Sequence, residues 1–189
     1  MTGHHVLTWD VTASKGIETA WVDLGERTLS AHGRAVGTVP EAYWITYELE
    51  TGEDFVTRRL RVRAESAAGS RELDLRRDDE GRWTAGGEPL AGLAAALDCD
   101  LGLCPLTNTM PLLRHGLHRS PGEHDFVMAW VSVPELAVQP SPQRYEHLAR
   151  TEEGARVRYT SGAFQRDLEC DGDGLIVGYP DLAQRTQTR

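Results

Sequence analysis

The most constraining feature of this chain is its rhythm. Segments rich in Val, Thr, Trp, Tyr and Leu recur about every 10 to 15 residues, each bounded by Gly, Asp, Pro or Ser, which is the pattern of antiparallel β structure. Leu7–Val11, Thr19–Leu24, Leu29–Gly37, Ala42–Glu50, Phe55–Ala64 and Arg71–Arg77 read as strands before the first long irregular stretch. Arg82–Thr84 adds a short piece, and His124–Val133, Ala137–Ala149, Arg156–Ser161, Phe164–Cys170 and Leu175–Tyr179 follow. Asp171-Gly172-Asp173-Gly174 supplies residues that tolerate positive φ and reads as a hairpin turn, with too few oxygen ligands for a calcium loop.

Alternation shows which faces these strands bury. Tyr43, Ile45, Tyr47 and Leu49 share one face while Thr46 and Glu48 point away, so that strand is half buried. Phe126, Met128 and Trp130 lie on one face and Val127, Ala129 and Val131 on the other, so this strand is covered on both sides. A sandwich core and the wall of a lined cavity both fit. Pro89-Leu90 with Leu93 and Leu97 has helical spacing and predicts one short helix, weakened by Gly92. Ser141-Pro142 ahead of Gln143–Arg150, with Gly154 beyond, carries helix start and stop signals as well. The polar tail 183–189 is expected to fray.

A chain of 189 residues suits one domain, with its core over about residues 5–182. Lys+Arg 20 against Asp+Glu 29 leaves a net charge of -9, which opposes a nucleic-acid partner. There is no basic stretch followed by an apolar leader and no run of about 18 apolar residues, so a cytoplasmic protein without a transmembrane segment is expected. Cys99, Cys104 and Cys170 are an odd number, and reduced thiols follow. Oligomeric state is not written in the sequence.

The least periodic stretch, Leu97–Pro111, mixes carboxylates, thiols, hydroxyls and an amide, and such loops often carry function. Cys99 and Cys104 lack the partner pair that a zinc site needs, so no metal is expected and the thiols read as small packing groups. Asp98 or Asp100 would serve as general acid or base if it met a substrate with its pKa raised. No nucleophile elbow, phosphate loop or dinucleotide fingerprint is present, and no cofactor is implied. His115 and His118 with Arg114 and Arg119 read as a basic patch on an exposed loop. Trp9, Trp21, Trp44, Trp83 and Trp130 each fall in or beside a strand, where core packing is the default and a cavity wall the alternative.

Asp98, Asp100-Leu101-Gly102, Pro105, Thr107-Asn108-Thr109, Pro111, Gly122-Glu123, Ala129-Trp130-Val131, Pro134, Gln143, Tyr145, Tyr159, Gly174-Leu175 and Tyr179-Pro180 give the chain a specific resemblance to the putative glycolipid-binding family of bacterial proteins. The resemblance covers about half the chain, with weaker similarity back to Trp9. It implies a mainly β fold: a single domain of strongly curved antiparallel sheet, half-barrel or barrel-like, with a concave cavity and at most one or two short helices. It also implies that Gln143–Ala149 is extended, against the local helix signals. Where the family reads Pro-Ile-Arg-Arg-Leu, this chain has Pro111-Leu112-Leu113-Arg114-His115, so one arginine of an anion clamp is absent, and Ala183 stands where tryptophan is common. The reading that results is non-catalytic binding of an amphiphilic molecule, glycolipid-like, by Trp44, Phe126, Met128 and Trp130 with polar contacts from Asp100, Asn108, Arg114, Gln143 and Tyr145. The alternative is an enzyme acting on a small hydrophobic substrate through Asp98 or Asp100.

Overall fold

In the computed structural model, which describes residues 3–186, alternating burial organises nearly every strand. Leu29–Gly37 shows it most cleanly, with Leu29, Ala31, Gly33, Ala35 and Gly37 inward and Ser30, His32, Arg34 and Val36 outward. In chain order the strands are β1 (Gly3–Val11), β2 (Gly16–Leu24), β3 (Leu29–Gly37), β4 (Tyr43–Thr51), β5 (Thr57–Ser66), β6 (Gly69–Arg77), β7 (Trp83–Ala85) and β8 (Glu88–Pro89). Then come β9 (Ala96–Leu101), β10 (Glu123–Val131), β11 (Val138–Arg150), β12 (Gly154–Ser161), β13 (Phe164–Asp171), β14 (Ile176–Tyr179) and β15 (Ala183–Arg185). All fifteen lie in one sheet of order β8-β7-β6-β5-β4-β3-β2-β1-β15-β14-β13-β12-β11-β10-β9. Every neighbouring pair is antiparallel except β9 and β10.

The sheet bends so far that its β9 edge reaches the inner side of β5 and β7, yet the strand ladder does not close into a barrel. Side chains bridge the gap. The Cys99 N–H donates to Thr57 Oγ1 at 3.0 Å, and the Ala96 carbonyl accepts from Trp83 Nε1 at 3.0 Å and Arg77 Nε at 3.1 Å. Edge groups that would otherwise be buried without partners are thereby satisfied. Thr57→Val leaves the Cys99 N–H unpaired in a dry interior, and the expected loss is about 1–2 kcal/mol in urea unfolding, with faster amide exchange at Cys99. Unchanged stability and exchange would show that the edge is not held there.

The inner face is filled by the chain itself. A 3-10 turn, Pro105–Asn108, runs into the helix α1, Thr109–Arg114, and every residue from Cys104 to Leu112 is buried. Met110 packs against Thr57, and Cys104 reaches β2 on the far side. This plug occupies the position where the family resemblance implies a concave cavity. Its helix is too short and too completely buried to show an apolar period, so sequence pattern presents it as an irregular loop.

Of three further sequence expectations, two change and one, the extended Gln143–Ala149, holds. The stretch Pro89–Leu97 is not helical: Pro89 lies in β8, Gly92 takes φ +80, and Ala96 already opens β9. Gln143–Arg150 is strand, as the family resemblance implies, because pairing with β10 and β12 on both sides outweighs the local helix signals. The tail does not fray at 183, since β15 pairs with β1 through Trp9↔Arg185 and Asp10↔Gln184; residues 187–189 lie outside the described residues. Among the described residues no helix is long and apolar enough to cross a membrane.

Candidate functional site

The carboxylates of β9 set up the site. Asp98 and Asp100 are two apart on a true strand and so share a face, opposite Met128 and Trp130 in the register of β10. Both are buried. Asp98 is gripped by both terminal nitrogens of Arg114, one at 2.7 Å, while Arg114 Nε donates to the Asp54 carbonyl at 2.8 Å. Burial pushes the Asp98 pKa up, and the guanidinium opposes it. Asp100 accepts from Gln143 Nε2 at 2.6 Å and from Thr107 Oγ1 at 3.1 Å. Its pKa is also raised by burial, against those two bonds. Gln143 Oε1 and Asn108 Oδ1 both lie within reach of the Tyr145 hydroxyl, at 3.0 and 2.9 Å.

Asp100, Asn108, Gln143 and Tyr145 therefore form one connected buried network with Thr107. Arg114 stands beside it as the partner of Asp98. The basic patch expected from Arg114, His115, His118 and Arg119 is broken up, because Arg114 and His118 turn inward and only His115 and Arg119 of the four are exposed. Met128 is fully buried and Trp130 half-buried on the same face of β10. The structure does not bring Trp44 to this group: it is 40% exposed on the outer face of β4.

The network reaches the surface at a groove of about 680 Å³ on the end of β9–β12. Leu97, Phe126, Val127 and Pro142 give it an apolar lining, and His115, His124, Gln143, Arg144 and Thr160 supply polar groups. Phe126 begins an aromatic strip that continues through Tyr145 at 5.8 Å to Tyr159 at 5.3 Å, in edge-to-face contacts. His115 stacks on His124 at 3.9 Å, and burial followed by the charges of His124 and Arg114 lowers its pKa. Sequence reasoning missed this histidine pair: His124 falls in an expected strand, but the return of His115 beside it depends on the plug. Neither Asp98 nor Asp100 lines the groove.

A second buried carboxyl lies on β2. Glu18 accepts from the Tyr47 hydroxyl at 2.6 Å and the Cys104 thiol at 2.9 Å through one oxygen, while its other oxygen has no partner. Gly33 makes this possible: a Cβ there would sit 2.3 Å from the Tyr47 ring, which lies directly over it. Burial raises the Glu18 pKa to about 7, against the two hydrogen bonds. The signal was legible, since Glu18 shares a strand face with Ala20, Val22 and Leu24.

Fold and site together define a one-sheet β protein whose inner face is plugged by its own chain and whose buried polar network meets a lateral apolar groove at Gln143. The chain matches the family described as "Putative glycolipid-binding" over residues 6–185, and it belongs to that family. It is similar to a crystal structure of a DUF1089 family protein from Pseudomonas aeruginosa, at 28% identity and a TM-score of 0.75, over 89% of this chain and 92% of that one. No curated protein matches it.

Proposed function

We propose that the protein binds an amphiphilic small molecule, glycolipid-like, in the groove over Phe126, without catalysing a reaction on it. The observation that carries the reading is a groove whose apolar lining of Leu97, Phe126, Val127 and Pro142 lies beside the accessible polar groups of His115, His124 and Thr160, with Gln143 fixed beneath by Asp100 and Tyr145. An amphiphile needs both: an apolar floor for its tail and a fixed polar group for its head. A net charge of -9 favours a neutral or zwitterionic head. The enzyme alternative gains nothing from the geometry, because each candidate carboxylate is occupied by its own partners inside the protein.

The test is calorimetric titration with a short-chain monoacyl phosphocholine below its micellar concentration. Saturable binding is expected, weakened at least about tenfold by Phe126→Asp and unchanged by Trp44→Ala. Absence of binding, or binding indifferent to Phe126→Asp, would overturn the reading.

A further inference from the structure

We propose that the outer face of β2–β6 is a separate binding site for a neutral oligosaccharide, with a sugar ring laid on Trp21 and hydroxyls paired with Arg34, Glu48, Arg61 and Glu72. The site is independent of the groove over Phe126. A furrow of about 650 Å³ crosses β3–β6, and strand alternation turns Arg34, Glu48, Arg61, Arg63, Glu72 and Asp74 into it. His32 lines the same furrow and carries Trp21 stacked on it, ring centroids 5.3 Å apart and planes within 3°. Trp21 itself is 42% exposed. One exposed indole would need no explanation, but Ile17, Val36 and Trp44 form a second outward row in direct cross-strand register, separated from Trp21 and His32 by the row of Thr19, Arg34 and Thr46.

The charges choose the ligand. Glu48–Arg61 and Arg63–Glu72 are long, exposed pairs at 3.4 and 3.9 Å, Arg63 also pairs with Glu65 at 3.0 Å, and Arg34 makes no ion pair among the described residues. Asp74 is already held by Arg59 and Arg76. An anion would meet Glu48 and Glu72, and a cation would meet Arg34, Arg61 and Arg63. Vicinal hydroxyls both donate and accept, so a neutral sugar suits neighbouring guanidinium and carboxylate groups at once. Its apolar C–H face suits the flat indole.

Nitrogen–proton shift mapping of the full chain with maltotriose and with cellotriose tests this, with inositol hexakisphosphate and spermine as charged controls. Saturable shifts confined to residues around 21, 32–34, 46–48, 61–63 and 72–74 are expected from at least one trisaccharide. Trp21→Ala and Arg34→Ala, both surface changes, should each weaken it at least about tenfold, while Phe126→Asp leaves it intact. No shift from either trisaccharide up to about 20 mM, shifts indifferent to Trp21→Ala, or stronger binding of a charged control would overturn the proposal.

Discussion

Asp98→Ala is expected to cost about 3–5 kcal/mol of folding stability, the largest single effect among the polar residues of the site. The Asp98 side chain is fully buried and the Arg114 side chain is 8% exposed, so removing the carboxylate leaves a guanidinium inside with only the Asp54 carbonyl for company. The cost lies in that stranded charge more than in the lost bond. Replacing both partners, Asp98→Leu with Arg114→Met, should therefore recover most of the loss, since neither polar group is then left unpaired. Urea unfolding of the two single variants and the double variant decides it. A loss below about 1 kcal/mol in Asp98→Ala would mean that Arg114 escapes to solvent. The same geometry makes Arg114 a strut between β9 and the segment around Asp54, in contrast to the ligand contact that the sequence suggested.

Glu18 should give the protein a stability that falls as pH rises from about 4.5 to about 7. Its folded pKa lies above the ordinary value of 4.5, so the folded state holds the proton more tightly than the unfolded chain throughout that window. Stability from this group is full below the lower pH, declines across the window and levels off above about 7, a total of about 3 kcal/mol. Tyr47, Tyr43 and Cys104 are the titratable groups around it, and none supplies a positive charge. Glu18→Gln keeps the acceptor for Tyr47 and Cys104 while removing the charge. It should flatten this component of the pH profile and raise stability at pH 8 by about 2 kcal/mol. Parallel profiles for the two proteins would show that Glu18 does not titrate in the interior.

Much of the fold was legible because a strand's period is short. Tyr43–Leu49 and Phe126–Val131 display in sequence the faces they bury, and the structure keeps both assignments. What local pattern could not carry was long-range. Gln143–Arg150 has real helix signals, and it is the strand that the family resemblance implies because it pairs on both sides. The helix of Thr109–Arg114 is buried all round, which erases the stripe that would announce it. The same limit applies to the site. Asp100, Asn108, Gln143 and Tyr145 could be named from the family resemblance and do meet. That they meet as the fastening of a plug follows only from where the chain returns. Trp44 and Phe126 are both aromatic residues in strands, yet parity of the register sends one outward and the other toward the groove.

The measurement that bears most directly on the central claim is photolabelling with an amphiphile carrying a diazirine in its tail, followed by mass-spectrometric mapping of the adducts. The label is expected on Leu97, His115, His124–Val127 and Pro142–Arg144, the residues around the groove, and to be displaced by unlabelled amphiphile. Displaceable label on the inner faces of β1–β5 would contradict it, because the plug that fills that interior would then have to leave.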